Sequence, residues 1–233
     1  MLSKTEAIIY LANQRGCSEA EWFRSYYTFN FGEFRQESRT PFGSLVAFNE
    51  HTLKEGRTLS FVHTESVKVL LLPIVGELNY RSGDAECTVD VGQVSYTVLQ
   101  GGTPLELSNN YTSNSIHFLH VCLRADNTIH DNYSRACTSD FKDNSNEFAP
   151  LNVSADELFF IGKLNGRKDV VCQRKLQQSG VFIYQISGTC EVNGRILLPG
   201  DALSLMHVET IEFEALTHEA IVFVGEIPFR DGN

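Results

Sequence analysis

The chain has 233 residues, of which 42% are hydrophobic and 21% are charged, and it contains 16 Phe and 8 Tyr. This apolar content supplies a packed core and excludes a disordered chain. Acidic residues outnumber basic residues 29 to 19, and no run of Lys and Arg exceeds two residues, so direct binding to nucleic acid is not expected.

The N-terminus and the cysteines indicate a cellular compartment. Met1 to Ala7 has no basic stretch leading into an apolar run, and no window reaches about 18 apolar residues, so we expect neither a signal peptide nor a membrane partner. The cysteines form no CxxC pair, which argues against a zinc knuckle and against a disulfide framework. The expectation is a cytoplasmic protein with free thiols.

The first half of the chain alternates short apolar runs with turn glycines. Glu19 to Phe23 follows an N-cap candidate, Ser18, and predicts a short helical turn. Val67 to Leu72 predicts a strand that leads to a turn at Gly76, and further strands and a glycine turn follow. Almost no other segment has a helical period, which favours an all-β class.

The second half repeats this rhythm after a region rich in Asn, Asp and Ser, Ala125 to Ala155, which predicts an extended connection. Val181 to Ile186 and Ala220 to Val224 are β-branched and aromatic runs of strand length, and Asn193-Gly194 is a hairpin signal. Gly188 lies about half a chain after Gly76, which indicates two copies of one domain. We predict two tandem barrels, residues 1–124 and 150–233, joined by a linker, 125–149.

Short segments spread over nearly the whole chain carry a resemblance to a known family. They are Ala12 to Gly16, Trp22 to Ser25, Tyr27 to Phe34, Phe42-Gly43, Phe48 to Glu50 with Gly56, Val75 to Arg81, Ile116 to Leu123 and Val181 to Phe229. These segments resemble pirin-family proteins. The resemblance implies a bicupin, in which one chain forms two cupin barrels of the jelly-roll-like, double-stranded β-helix type.

The resemblance also implies a mononuclear iron-type site in the first barrel, held by an HxH pair and an HxE pair. Residues two apart on a strand face the same side, so two such pairs supply four ligands. Counting back from Gly76 places the HxH positions at Val62 and Thr64, and counting on from Gly101 places the HxE positions near Glu106 and Ser108.

These positions predict that the family's metal centre is lost, because Val62 has no lone pair and a Thr hydroxyl is a weak ligand. The predicted first-barrel pocket is metal-free and contains Val62, Thr64, Tyr80, Glu106 and Ser108. In the same register, Val62 and Thr64 point into the pocket, whereas His63 and Glu65 point away from it.

An alternative metal set remains open, with His63 and Glu65 as a shifted pair completed by His117. His117 and His120 are three residues apart, so on a strand they face opposite sides. His120 shares a face with Cys122, which is interpreted as a small buried residue rather than a nucleophile.

No catalytic residue or cofactor is predicted, because GxSxG, GxxxxGK[ST] and GxGxxG are all absent from the sequence. The preferred hypothesis is a pirin-like bicupin without a functional metal site, which binds a small molecule or a protein partner. The alternative is a metal-dependent dioxygenase of the quercetin 2,3-dioxygenase type.

Overall fold

The computed structural model describes residues 6–125, 133–138 as backbone, 146–153 and 156–229, and it consists almost entirely of β-strands. Within those ranges the helical structure is a single 3-10 turn, Ala12–Gln14. None of the described helical structure is long and apolar enough to cross a bilayer. The strands form two compact units, Gly16–Thr138 and Met1–Arg15 with Ser139–Asn233, which we call the first and the second barrel.

The first barrel contains a seven-stranded sheet in the order β12-β9-β6-β11-β4-β3-β2 and a four-stranded sheet in the order β5-β10-β7-β8. Its core consists of apolar side chains from both sheets, among them Leu71, Leu105 and Phe118. The strands are β2 (Gly16–Ala20), β3 (Phe23–Tyr27), β4 (Leu45–Leu53), β5 (Thr58–Val62), β6 (Val67–Val75), β7 (Leu78–Ser82), β8 (Ala85–Val89), β9 (Gln93–Leu99), β10 (Pro104–Ser108), β11 (Ile116–Arg124) and β12 (Tyr133–Thr138).

The second barrel contains a six-stranded sheet in the order β1-β19-β16-β21-β14-β13 and a four-stranded sheet in the order β15-β20-β17-β18. Its core includes Val181, Leu203 and Phe213. The strands are β1 (Glu6–Tyr10), β13 (Glu147–Leu151), β14 (Leu158–Leu164), β15 (Asp169–Gln173), β16 (Ser179–Ser187), β17 (Cys190–Val192), β18 (Arg195–Leu197), β19 (Ala202–Met206), β20 (Thr210–Ala215) and β21 (Ala220–Pro228).

The two barrels repeat one topology. The order β9-β6-β11-β4 of the first barrel recurs as β19-β16-β21-β14 in the second, and β5-β10-β7-β8 recurs as β15-β20-β17-β18. The turn glycines Gly76 and Gly188, on which the duplication was predicted, both have positive φ angles, of 75° and 69°. Asn193-Gly194 joins β17 to β18 with positive φ at both residues, as a two-residue hairpin turn requires. The predicted all-β, two-barrel fold is confirmed.

Three local predictions differ from the structure. The segment of β1, assigned to the first barrel, pairs with β19 of the second, and Ala12 N–H donates to Asp201 Oδ1 at 2.7 Å. The expected linker contains β12, paired with β9, and β13, paired with β14. The expected helical turn is instead the hairpin of β2 and β3. The first difference, and the pairing of β12 with β9, depend on strand pairing between residues far apart in the sequence, whereas β2 with β3 and β13 with β14 are neighbours along the chain.

Candidate functional site

The end of β5 is shifted by one residue from the predicted register. Val62 is 62% exposed and Thr64 is also exposed, whereas Phe61 packs against the core and His63 lies partly buried on the same side. A count back from Gly76 crosses the loop between β5 and β6 and also a bulge in β6, where β11 pairs His117 with Val75 but Phe118 with Pro73. Such a count does not determine which residues of β5 face inward, and the predicted orientation of Val62, Thr64 and His63 is wrong.

On β10, the strand paired with β5, the predicted residues also point outward. Glu106 accepts an ion pair from Arg81 Nη2 at 2.6 Å, and Ser108 Oγ is hydrogen-bonded to Thr58 Oγ1 at 2.9 Å, both in exposed settings. Leu105 and Leu107 occupy the inward positions and are fully buried. The structure therefore corrects the expected placement of Glu106 and Ser108 inside a pocket.

Tyr80 is the one predicted pocket residue that lies inside the first barrel. Its side chain is buried, and its hydroxyl accepts a hydrogen bond from Ser95 Oγ at 2.8 Å. It belongs to the apolar core cluster of this barrel.

The alternative metal set does not come together. Glu65 has a side chain that is 76% exposed, and its Oε2 lies 3.9 Å from Nε of Arg124. His117 Nε2 lies 2.8 Å from Glu50 Oε1, on the face opposite to buried His120, as the spacing of the two histidines predicted. Of the three proposed ligands, His63 alone points inward.

His63 instead meets two buried residues of β11. His120 and Cys122 are two apart on the inward face of that strand, and both are fully buried. Cys122 Sγ lies 3.1 Å from His120 Nε2 and 3.9 Å from His63 Nε2. The three potential ligand atoms all lie within 4.8 Å of one another.

A polar strip on β4 adjoins this cluster. Asn49 and His51 are two apart on the strand and fully buried, and Asn49 is directly opposite His120 in the β4–β11 ladder. His51 Nδ1 is hydrogen-bonded to Ser25 Oγ at 2.7 Å. Phe61 contacts both imidazoles, with ring centroids 5.4 Å from His51 and 5.1 Å from His120.

Several polar atoms of this region have no hydrogen-bond partner among the described residues. They are both amide atoms of Asn49, Nε2 of His51 and Nδ1 of His120. A buried polar atom without a partner costs about 1–3 kcal/mol, so four on one inner face are expensive.

Burial is the largest cause of each pKa shift in the cluster. It lowers the pKa of His51 to about 3, with Glu50 opposing the shift and His117 adding to it. It lowers the pKa of His120 well below its ordinary value, and it also lowers the pKa of His63. Burial raises the pKa of the Cys122 thiol. At neutral pH these groups are therefore neutral imidazoles and a thiol, which agrees with the interpretation of Cys122 as a non-nucleophile.

The second barrel contains a cavity of about 370 Å³. Its walls come from both sheets, and seven of the thirteen wall residues are apolar: Phe148, Phe160, Val170, Val171, Val181, Ile211 and Val224. The polar wall residues are Asn146, Glu147, Cys172, Gln173, Lys175 and Glu226.

The polar groups of this cavity are held in defined positions. The Glu226 carboxylate accepts hydrogen bonds from the backbone N–H groups of Lys175 and Leu176 at 2.7 to 3.1 Å. The Lys175 ammonium lies 5.1 Å from the centre of the Phe160 ring. Burial raises the pKa of the Cys172 thiol to about 11, so this thiol is protonated at neutral pH. This cavity was not predicted, because its walls come from strands that are distant in the sequence.

The fold and these interiors define the chain as a bicupin. Residues 142–224 match a family model described as the quercetinase C-terminal cupin domain. A search of curated proteins finds no match.

Solved structures match nearly the whole chain. YhhW from Escherichia coli has a TM-score of 0.85 at 16% identity, covering 98% of this chain and 100% of that one. Bacterial pirin YhhW from Escherichia coli in complex with nickel(II) has a TM-score of 0.80 at 18% identity, with 97% and 100% covered. A quercetin 2,3-dioxygenase from Acinetobacter baumannii has a TM-score of 0.74 at 10% identity, with 94% and 85% covered. The resemblance to pirin proteins is thereby confirmed, and identities this low carry the fold alone.

Proposed function

We propose that this pirin-like bicupin binds a small, largely apolar molecule in its second barrel and does not act as an oxygenase. The observation that carries the proposal is the cavity of about 370 Å³ with its apolar walls and its few fixed polar groups. Ligand cavities typically have volumes of about 300–1,000 Å³ and have this composition. A cavity of about 370 Å³ suits a small molecule better than a protein partner, which needs a face of about 800 Å².

The residues of the cavity wall indicate the chemical class of the ligand. Phe148, Phe160 and Val224 provide apolar contact for a compact body, while Lys175 and Glu226 provide a cation and an anion for one polar substituent. Because the Glu226 carboxylate already accepts three backbone contacts, its position is fixed before a ligand enters. A fixed polar group of this kind orients a ligand without an entropy cost on binding.

The first barrel supports the non-oxygenase part of the proposal. The inward positions of the paired strands β5 and β10 that correspond to the two ligand pairs hold Phe61, His63, Leu105 and Leu107. Phe and Leu side chains offer no lone pair, so this set does not fit the family's four-ligand metal centre. The dioxygenase alternative with His63, Glu65 and His117 has no support in the geometry, because Glu65 and His117 lie elsewhere on the surface.

A fluorescence titration with 1-anilinonaphthalene-8-sulfonate, an aromatic probe with one polar group, tests the cavity. We expect one saturable site, and Val170→Trp, which enlarges a half-buried wall residue, should weaken binding by about tenfold or more. The matched control is Ile196→Trp, on an exposed residue outside the cavity wall. Equal binding by both variants would refute the cavity assignment, and quercetin turnover by the iron-, nickel- or copper-loaded protein would refute the non-oxygenase assignment.

A further inference from the structure

We propose that the interior of the first barrel binds one Zn²⁺ ion through Nε2 of His63, Nε2 of His120 and Sγ of Cys122. This site is distinct from the cavity of the second barrel and goes beyond the function proposed for it. Two of its three ligands lie on β11, outside the strand pair β5–β10 that was expected to hold the metal ligands.

The interatomic distances suit a tetrahedral zinc site. Zn–S bonds of about 2.3 Å and Zn–N bonds of about 2.0–2.1 Å place a sulfur and a nitrogen ligand about 3.5 Å apart. Cys122 Sγ lies 3.1 Å from His120 Nε2 and 3.9 Å from His63 Nε2. On zinc binding, the distance from Cys122 Sγ to His120 Nε2 must lengthen by about 0.4 Å and the distance to His63 Nε2 must shorten by about 0.4 Å. Small side-chain rotations supply both changes.

The ligand types select zinc over the harder ions. Two imidazoles and a thiolate are borderline-to-soft ligands, whereas magnesium, calcium and manganese prefer carboxylate and carbonyl oxygen. On binding, the Cys122 thiol loses its proton to solvent and the sulfur forms the metal bond, so the hydrogen bond to His120 is replaced. The three protein ligands leave the fourth position of the tetrahedron open.

Unpaired polar atoms on β11 and on β4, the strand paired with it, also support the zinc site. A zinc-bound His120 Nε2 requires a hydrogen on Nδ1, and ligating histidines almost always donate that hydrogen to an acceptor. His120 Nδ1 has no partner among the described residues, and neither has Oδ1 of Asn49, the residue directly opposite it in the ladder. The two atoms are not hydrogen-bonded to each other in this structure. Cross-strand neighbours face the same side, so we expect Asn49 Oδ1 to accept from His120 Nδ1 once zinc fixes the orientation of the imidazole ring.

Metal titrations on the reduced, chelator-treated full chain test the site. We expect one equivalent of Zn²⁺ by calorimetry, and the Co²⁺ adduct should show thiolate-to-cobalt charge-transfer absorption. Cys122→Ala should abolish this absorption and weaken Zn²⁺ binding by more than about 100-fold. Cys190→Ala is the matched control, because Cys190 is equally buried in the second barrel, and it should keep both signals.

Two further variants separate coordination from packing. His63→Leu changes a partly buried residue at the end of a strand, so the barrel should fold while metal binding is lost. Asn49→Leu should weaken Zn²⁺ binding by about 10- to 100-fold without lowering the melting temperature of the metal-free protein. The site is overturned if the reduced wild-type chain takes up no stoichiometric Zn²⁺, or if cobalt absorption persists in folded Cys122→Ala or His63→Leu. Either result would leave the cluster as a hydrogen-bonded core contact.

Discussion

Lowering the pH should destabilise the first barrel through its buried histidines. In the unfolded chain an imidazole has its ordinary pKa of 6.5, whereas burial holds the pKa of folded His51 at about 3. Below pH 6.5 the unfolded state therefore binds more protons, and the free energy of unfolding falls until the pH reaches about 3. One such group loses about 1.4 kcal/mol per pH unit, so the change from pH 7 to pH 5 removes about 2 kcal/mol.

Denaturant unfolding of the metal-free protein at the two pH values measures this loss. The wild-type loss should exceed about 2 kcal/mol, because the lowered pKa values of His120 and His63 act in the same direction. His51→Gln should reduce the difference between pH 7 and pH 5 by about 2 kcal/mol, whatever its own stability at pH 7. The control His218→Gln, on an exposed residue of the second barrel, should leave the difference unchanged. An unchanged difference in His51→Gln would refute the assignment of a buried neutral imidazole.

Two other predictions concern the turns and the inward positions of β5 and β10 in the first barrel. Gly194→Ala should cost about 1–2 kcal/mol for its positive φ alone, since its Cβ meets open space. Gly188→Ala should cost about 1–3 kcal/mol more, because its Cβ would lie 2.8 Å from Ala220 Cα; equal melting temperatures for the two variants would contradict this reasoning. In a Cys122→Ala background, adding Phe61→His, Leu105→His and Leu107→Glu around His63 should create stoichiometric Ni²⁺ or Fe²⁺ binding by calorimetry. Val62→His with Thr64→His in the same background should not, because those positions are exposed. A folded triple variant without such binding would show that the four inward positions do not converge.

The fold was predictable because its signals are local. Strand-length apolar runs such as Val181 to Ile186 and the hairpin Asn193-Gly194 identify all-β structure, and the spacing of Gly76 and Gly188 identifies the duplication. Each of these signals depends on a few neighbouring residues. Pairing between distant segments leaves no comparable signal, and so the place of β1 beside β19 was missed.

The candidate site was less predictable, because the side on which a strand residue lies depends on a register that local sequence does not show. A count from Gly76 crosses the bulge in β6 and the loop between β5 and β6, so it does not determine whether Val62 or His63 faces inward. The buried pair Asn49 and His51 was missed for another reason. Polar residues alternating with apolar ones usually mark a solvent-facing side, and only the ladder with β11 shows that this side is the interior.

The two barrels show why a shared fold says little about shared chemistry. Both use the same strand order, yet the inward positions of the first barrel hold imidazoles, a thiol and an amide, whereas the second barrel encloses an apolar cavity. Alternation and turn glycines determine the topology, while the chemistry depends on the inward side chains that the same topology leaves free to vary. At 10% identity to a quercetin 2,3-dioxygenase, the common scaffold therefore carries no argument for oxygenase activity. The function of this chain depends instead on side chains such as His63, His120 and Cys122 and on the cavity walls of the second barrel.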